Sequence, residues 1–357
     1  MNGFALTLLR WFRENGRELP WRETRDPYAI WLSEIILQQT QVKQGYDYWL
    51  RFMRRWPTVE LLAEASEDEV LREWQGLGYY SRARNLHFAA KQIVELGGFP
   101  TTIEGLRSLK GVGDYTAAAI GSIAFGLPVA VVDGNVYRVL SRHFGISTPI
   151  NTTEGKKEFA LLAQELLSSL HPSPFLRPFG SKRAELERTL HQSGTYNQAI
   201  MDFGAMQCTP SSPNCPDCPL QETCVALREG RVGQLPVKLK TLKVKERRLT
   251  YVYVRCQGYT AIHRRGKGDI WQGLYEPWLV ADSDYASSAV PDGAVLLRQN
   301  VKHVLTHRIL YADFYLLETS ERPALPADYL WIREAALDDY ALPRLIELLL
   351  SHLHLHL

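Results

Sequence analysis

Hydrophobic periodicity changes along this chain at about residue 227. Before that point, apolar residues recur three and four positions apart, the spacing that places them on one face of an α-helix. The first strong example covers residues 26–41 and starts at Asp26-Pro27, a pair typical of a helix N-terminus. The apolar residues that follow at helical spacing are Ile30, Trp31, Ile35, Ile36 and Leu37. A mainly helical first domain is therefore predicted over residues 1–227.

Three later segments of this region carry the same helical spacing, at residues 81–96, 106–125 and 195–205. The middle segment predicts two short helices joined by a hairpin that contains Gly111 and Gly113. Glycines at such a turn let the backbone approach a ligand closely, and the next helix presents free N–H groups to an anion such as a phosphate. A plain corner between two helices is an equally good interpretation.

The C-terminal part of the chain has the pattern of a β-rich domain. Residues 250–255 combine β-branched and aromatic side chains, and residues 269–280 and 309–317 are further strand candidates. A helix is predicted at residues 342–350, which makes this second domain α+β.

Residues 228–248 form a basic linker between the two predicted domains. This stretch holds eight lysines and arginines against two glutamates. Such a run either lies along a polyanion or is merely solvated, and both interpretations stay open.

Composition limits the class of protein. A length of 357 residues is too great for one ordinary core and favours two or three domains. Hydrophobic residues make up 45% of the chain and charged residues 22%, which is typical of a soluble globular protein. The N-terminus has no signal-peptide pattern, and no apolar run reaches membrane-spanning length. We therefore expect a cytoplasmic protein without a membrane partner.

Four of the five cysteines lie within seventeen residues, in the order Cys208, Cys215, Cys218 and Cys224. Turn-forming residues separate them, which lets the backbone fold around a point. Two disulfides are one alternative, although disulfides are rare in the cytosol. Four thiolates suit a tetrahedral zinc ion and equally a [4Fe–4S] cluster. A single loop with unequal gaps favours the iron–sulfur cluster.

Two acidic residues have contrasting local surroundings. Glu34 lies on the predicted helix at residues 26–41 beside apolar neighbours, where desolvation favours the protonated carboxyl group. Asp133 is a candidate helix N-cap, where the helix dipole favours the charged form. One neutral and one charged carboxyl group is the arrangement that cleaves glycosidic bonds. Taken singly, a cap for Asp133 and a solvated surface side chain for Glu34 are the simpler interpretations.

Five short segments and the cysteine spacing resemble the MutY-type adenine DNA glycosylase family. The segments are Trp21-Arg22, Ser33–Thr40, Gly76–Arg82, Leu109–Thr116 and Val132–Val136. The cysteine spacing matches the [4Fe–4S] loop of the wider endonuclease III, or helix-hairpin-helix, superfamily. The resemblance covers residues 1–224 and, more loosely, the C-terminal domain.

The resemblance implies catalytic roles for four residues. Glu34 would be the general acid that protonates adenine at N7 and then handles the attacking water. Asp133 would stabilise the oxocarbenium ion, and Asn135 would hold this constellation in place. Tyr115 stands where bifunctional members carry a Schiff-base lysine, so base removal without β-elimination is implied.

The resemblance also implies contacts with DNA and with adenine. Gln39 and Tyr79 would wedge into the duplex, the alternatives being a surface glutamine and a core tyrosine. Trp21, Arg22 and Gln198 would form the adenine pocket, although for Gln198 a capping box with Thr195 is a strong alternative. The residues implied to bind DNA or adenine in the first domain are Trp21, Arg22, Gln39, Tyr79, Gly111, Gly113 and Gln198.

The second domain resembles the Nudix-like lesion-recognition domain of the same family. Residues 271–276 fit its pattern, and the glutamate run that a true Nudix hydrolase needs for its metals is not found in the sequence. Recognition rather than catalysis is therefore implied. The family loop that contacts 8-oxoguanine corresponds to Leu305-Thr306-His307, so Thr306 and His307 would touch the lesion. Leu305 replaces the family's phenylalanine, and an ordinary turn is the alternative interpretation.

The predicted fold is mainly α: a helix-hairpin-helix glycosylase domain at 1–227 with an iron–sulfur loop at 208–224, and a Nudix-like α+β domain at 249–357. The predicted function is monofunctional removal of adenine opposite 8-oxoguanine or guanine in duplex DNA, by a monomer that carries a [4Fe–4S] cluster. The alternatives are a thymine or uracil mismatch glycosylase, a bifunctional endonuclease III-type enzyme, and a non-catalytic metal-bound nucleic-acid-binding protein.

Overall fold

The computed structural model describes residues 2–170, 182–239, 244–284 and 289–353. Contacts divide the chain into two compact units. The helical unit comprises Met1–Trp49, Trp56–Glu60 and Phe88–Lys240, and the mixed unit comprises Leu50–Arg55, Leu61–His87 and Thr241–Leu357. Each unit is built from separated stretches of chain, and the domain boundaries placed at residues 227 and 249 remain a prediction.

Helices dominate the first two thirds of the chain. The α-helices are α1 Asn2–Asn15, α2 Pro27–Ile36, α3 Val42–Arg55, α4 Val59–Glu64, α5 Glu67–Glu73, α6 Ser81–Glu95, α7 Ile103–Ser108, α8 Asp114–Ala124, α9 Gly134–Phe144, α10 Thr153–Ser168, α11 Lys182–Asp202, α12 Val225–Arg228 and α13 Arg344–Leu353. Short 3₁₀ turns lie at Pro20–Arg22, Gln221–Thr223 and Glu334–Asp339. Among the described residues, no helix has the length and apolar character needed to cross a membrane.

Helix α2 begins where the sequence predicts it. The carboxylate of Asp26 accepts a hydrogen bond from the Tyr28 backbone N–H, and Pro27 takes the first helical position. The helix ends at Ile36 instead of continuing to residue 41, because the next residues form a turn in which Gln39 has φ 55°. Nearly every residue of α2 is buried, so the helix lies in the core.

The predicted hairpin and the predicted cap at Asp133 are both present. Gly111 has φ 80°, and Gly113 is the N-cap of α8, so the turn between α7 and α8 uses the freedom of glycine. The Asp133 side chain accepts a 2.8 Å hydrogen bond from Val136 N at the start of α9. Gly145, at φ 72°, ends that helix.

One hydrophobic cluster joins α1, α8, α9, α10 and α11. Its fully buried members include Leu8, Leu140, Phe159, Leu166, Tyr196 and Phe203. Burying one such apolar side chain contributes about 1.5–3 kcal/mol. Tyr115 of α8 packs against this cluster, and Val136 of α9 belongs to it. The N-terminal ends of α8 and α9, which carry Tyr115 and Asn135, are therefore anchored in the core.

The mixed unit contains a seven-stranded sheet. Its strands are β1 Lys245–Cys256, β2 Tyr259–Arg264, β3 Tyr275–Glu276, β4 Trp278–Asp282, β5 Val295–Val304, β6 Arg308–Thr319 and β7 Tyr329–Arg333. The main path has the order β3-β2-β1-β6-β5, while β4 pairs with β1 and β7 pairs with β2. Strands β1 and β6 are parallel, and the other pairs are antiparallel. Leu345, Ile346 and Leu349 of α13 belong to the same core cluster as sheet residues Tyr251 and Phe314.

The structure corrects two predicted elements. Residues 269–274, predicted as the first half of a strand, form turns, because Trp271 and Gly273 have φ values of 59° and 82°. The helix predicted at residues 195–205 is the end of the longer α11, which runs into a π-helical turn at Phe203–Gln207. The other predicted helices and strands are confirmed with shifted ends.

Candidate active site

A cavity of about 590 Å³ lies in the helical unit, a volume typical of small-molecule sites. It is lined by residues of α2, α8, α9 and α11. All four predicted catalytic residues line it: Glu34, Tyr115, Asp133 and Asn135. The three predicted adenine-pocket residues, Trp21, Arg22 and Gln198, line it as well.

Tyr115 Oη donates a hydrogen bond of 2.8 Å to Oε2 of the Glu34 carboxyl group. The net pKa of Glu34 is raised to about 7 by burial. The hydrogen bond from Tyr115 and the charge of Arg22 act to lower this pKa, and the charge of Asp133 acts to raise it. Burial is the largest of these effects. A substantial fraction of Glu34 is therefore protonated at neutral pH, in the direction that its apolar neighbours predict.

Asp133 has more hydrogen-bond donors than Glu34. Its Oδ1 accepts from Val136 N and its Oδ2 from Asn135 Nδ2, both at 2.8 Å. The prediction that the helix terminus keeps the pKa of Asp133 low is wrong. Burial raises that pKa and outweighs the backbone and amide donors and the charge of Arg138, all of which lower it. The two carboxyl groups are thus distinguished by their donors and not by the direction of their pKa shifts.

Asn135 is itself fixed by Arg138, one turn later on α9. Arg138 Nη2 donates to Asn135 Oδ1 at 2.8 Å and to the Gly204 carbonyl at 2.6 Å. With its oxygen occupied, the Asn135 amide turns its NH₂ group toward Asp133. Arg138 Nε also donates to the Cys208 carbonyl at 2.7 Å, so these contacts link the cysteine loop to Asp133.

The three predicted adenine-pocket residues differ in their surroundings. Trp21 is buried with its ring centroid 5.5 Å from that of Trp49. Arg22 donates to the carboxylate of Asp202 through both terminal nitrogens. Gln198 lies within α11, and so does Thr195. A capping box needs a helix N-terminus, so that alternative for Gln198 is excluded.

All four cysteines of the loop at 208–224 are half-buried free thiols. Burial raises the pKa of Cys208, and it raises the pKa of Cys218 to about 11, an effect that the neighbouring thiols reinforce. In the part of the chain that the structure describes, no three His, Cys, Asp or Glu side chains converge closely enough to hold a metal ion. The donor set nevertheless fits a thiolate-bound metal group, since a cationic centre would offset the mutual repulsion of the thiolates.

The mixed unit contains a second cavity, of about 930 Å³. Tyr79, Leu305, Thr306 and His307 line it, together with Trp271. The hydroxyl groups of Tyr79 and Thr306 are hydrogen-bonded to each other. The predicted lesion-contacting residues Thr306 and His307 are both exposed, and the structure brings them together with Tyr79.

Both predicted wedge residues combine exposure with an unusual backbone. Tyr79 is 47% exposed with φ 47°, and Gln39 is exposed with φ 55°. The Arg82 guanidinium lies 5.6 Å from the Tyr79 ring centroid and 5.0 Å from that of Trp74, which supports the Tyr79 ring. Non-glycine residues with positive φ are enriched at functional sites. A core position for Tyr79 is excluded by its exposure.

Three of the predicted DNA contacts lie outside both cavities. Gln39, Gly111 and Gly113 line neither of them. Gly111 and Gly113 are exposed in the turn between α7 and α8.

Sequence reasoning missed Arg17, Arg138 and Asp202. Arg17 lines the helical-unit cavity, and the fully buried Asp202 binds both Arg17 and Arg22. These contacts span about 180 residues of sequence, which no local pattern reveals. One signal was available, since Asp202 follows Gln198 by four positions and so shares its helix face.

Comparison with known proteins is consistent with this architecture. Residues 32–166 match the family described as "HhH-GPD superfamily base excision DNA repair protein", and residues 250–352 match the NUDIX domain family. The adenine DNA glycosylase of Buchnera aphidicola subsp. Schizaphis graminum is 35% identical over 275 residues, which cover 76% of this chain and 73% of that protein. The mouse adenine DNA glycosylase is 42% identical over 246 residues, which cover 66% of this chain but 44% of the mouse protein.

The fold also resembles solved structures, and the following one has a similar level of sequence identity. A thermostable thymine-DNA glycosylase superposes with a TM-score of 0.52 and 30% identity, covering 64% of this chain and 96% of that one. The predicted fold, a helical HhH-GPD domain followed by a β-sheet Nudix domain, is confirmed. The chain therefore belongs to the adenine DNA glycosylase family, hydrolases of N-glycosyl bonds that act in base excision repair.

Proposed function

We propose that this protein flips adenine out of duplex DNA, where it faces 8-oxoguanine or guanine, and hydrolyses its N-glycosyl bond. The observation that carries the proposal is the single cavity lined by both Glu34 and Asp133, with Tyr115 bonded to Glu34. A stacked base is out of reach of any side chain, so the nucleotide must be extruded at a cost of about a few kcal/mol.

Glu34 is proposed to act as the general acid. With a pKa of about 7, its protonated form is available at neutral pH to deliver a proton to N7 of adenine. Protonation makes adenine a neutral leaving group, an effect worth about 10²–10⁴-fold in rate. The resulting carboxylate then accepts a proton from the water that attacks C1′. One water is consumed, and free adenine and an abasic site are formed.

Asp133 is proposed to stabilise the positive charge that develops on the sugar. Its carboxylate is held in place by Val136 N and by the Asn135 amide before the reaction begins. Preorganised charge of this kind requires no rearrangement in the transition state. A cationic sugar at short range also favours the ionised carboxyl group, which offsets the burial that raises the pKa of Asp133.

Strand cleavage through a Schiff base is not part of the proposal. Tyr115 presents a phenol beside Glu34, and its pKa is raised by burial, so the hydroxyl stays protonated. Among the described residues that line the cavity, none is a lysine. The proposed enzyme is therefore monofunctional and leaves the abasic strand intact.

Cys208, Cys215, Cys218 and Cys224 are proposed to hold a [4Fe–4S] cluster. The four thiolates would ligate the cluster when it is bound, and this would fix the loop that carries them. Hydrolysis of a glycosidic bond transfers no electrons, so we assign the loop a structural role. The Cys208 carbonyl anchors Arg138, and Arg138 orients Asn135 beside Asp133.

The residues around the second cavity are proposed to recognise the lesion strand. Thr306 and His307 supply hydrogen-bonding groups for 8-oxoguanine, and Tyr79 supplies an exposed ring that can enter the duplex. Gly111 and Gly113, with Gln39, are proposed to contact DNA outside the cavities. The proposed enzyme works as a monomer on cytoplasmic DNA, such as the nucleoid of a prokaryote.

The test is a glycosylase assay on matched duplexes that place A opposite 8-oxoguanine, A opposite guanine, or T opposite guanine. We expect release of adenine, fastest opposite 8-oxoguanine, and strand breaks only after alkali treatment. Preferential release of thymine would contradict the proposal, as would strand cleavage without alkali at the rate of base release. Asp133→Asn serves as the inactive control.

A further inference from the structure

Asp202 is the most completely buried carboxylate beside the helical-unit cavity, with a side chain 0% exposed. It accepts hydrogen bonds from two arginines. Arg17 donates its backbone N–H at 3.0 Å and Nε at 2.9 Å, with a further contact from Nη2. Arg22 donates Nη1 at 2.7 Å and Nη2 at 2.8 Å. Both carboxylate oxygens of Asp202 thus accept hydrogen bonds from the two arginines.

Both arginines line the cavity that contains Glu34. One carboxylate against two guanidinium groups leaves a single net positive charge on this wall. Without Asp202, the same wall would carry two positive charges in a buried setting, where charges interact strongly. The position of Asp202 therefore matters for the chemistry as well as for packing.

We propose that Asp202 is a positioning residue for the reaction: it fixes Arg17 and Arg22 at the cavity wall and neutralises one of their two positive charges. The inference rests on the proposed function, because it matters only if Glu34 must be protonated to act. Asp202 does not line the cavity and is not assigned a contact with the substrate.

The other charged and titratable groups around Glu34 stay the same when Asp202 changes. Tyr115 of α8 donates to Glu34, while Asp133 and Arg138 enter the cavity from α9. Arg22 is the cation whose charge lowers the pKa of Glu34. Removing the negative charge of Asp202 leaves Arg22 and Arg17 uncompensated, so the pKa of Glu34 should fall and its acid form should be lost at lower pH.

The test is the pH dependence of single-turnover adenine release from an A:8-oxoguanine duplex. Asp202→Asn should shift the descending limb of the profile toward acid by about one pH unit, which is about tenfold in rate at a fixed pH above the midpoint. The double variant Arg17→Gln/Asp202→Asn restores the net charge of the wall and should return the limb to its wild-type position. A purely structural role predicts a lower rate without a shift, and no recovery in the double variant.

Arg17→Gln alone covers the case in which Asp202→Asn does not fold, as judged by circular dichroism. It removes one positive charge and keeps the Asp202–Arg22 pair, so the limb should move in the opposite direction, toward higher pH. Superimposable profiles for wild type and every folded variant would overturn the inference while leaving the glycosylase activity intact. A wild-type protein that releases no adenine would instead overturn the proposed function.

Discussion

The two cavities of this protein are lined by different kinds of residue. The helical-unit cavity is lined by ionisable groups whose positions are fixed by partly buried hydrogen bonds, such as those between Tyr115 and Glu34 and between Asn135 and Asp133. The lining of the mixed-unit cavity includes exposed residues on irregular backbone, with Tyr79 at a positive φ and Thr306 in a bend between two strands. Shifted pKa values and rigid donors suit a reaction, whereas exposed aromatic and hydroxyl groups suit recognition of a surface.

This contrast predicts that variants of the first cavity change rate more than binding, and that variants of the second do the reverse. The largest effect is expected for Glu34→Gln. The amide keeps the size of the side chain but cannot deliver a proton, so single-turnover adenine release should fall by about 10²–10⁴-fold. Duplex affinity, measured by fluorescence anisotropy, should change little. Near-normal turnover would remove Glu34 from the mechanism.

Asp133→Asn should abolish most base release, by about 10²–10³-fold, since the neutral amide cannot stabilise a sugar cation. Binding to the A:8-oxoguanine duplex should be largely intact, because the amide oxygen can still accept from Val136 N. Parallel loss of binding and rate would instead show that Asp133 serves the fold or a phosphate contact.

Arg138→Met should produce an intermediate loss of rate, of about tenfold. The variant keeps most of the apolar stem but releases Asn135, which then no longer holds Asp133 in one orientation. The measurement is the single-turnover rate, with melting temperature as the control for folding. A stable variant with a wild-type rate would show that the contacts between Arg138 and Asn135 do not position Asp133.

The smallest effect is expected for Tyr79→Phe, which keeps the ring and removes only the hydroxyl bonded to Thr306. Loss of one hydrogen bond is worth about 0.5–1.5 kcal/mol, so the affinity for the lesion duplex should fall by a few-fold. Tyr79→Ala also removes the wedge and should weaken binding further. The rate at saturating enzyme should be less affected than affinity in both variants. An effect on rate larger than the effect on affinity would show that the two cavities do not divide catalysis and recognition between them.

Much of the fold follows from local signals. Asp26-Pro27, Gly111 and Asp133 mark helix ends that the structure confirms. The failures have physical causes. Residues 269–274 are apolar enough to suggest a strand, yet Trp271 adopts positive φ, which composition does not encode.

The sequence predicts which residues form the candidate site better than it predicts the pKa values of those residues. Burial is a property of the whole fold, and it raises the pKa of Asp133 although the helix terminus favours the charged form. The contacts of Asp202 with Arg17 and Arg22 join residues about 180 positions apart in sequence. Local sequence identifies the groups that can react, whereas tertiary packing sets their charge.

The most direct test of the account is the pH–rate profile of single-turnover adenine release by the wild-type protein. Because burial raises the pKa of Glu34 to about 7, the acid form is complete below that pH and is lost above it. The rate should therefore fall by about tenfold per pH unit above the midpoint, and Glu34→Gln should lack this limb. A wild-type rate that is constant or rising between pH 6.5 and about 9 would contradict the claim that a neutral Glu34 starts the reaction.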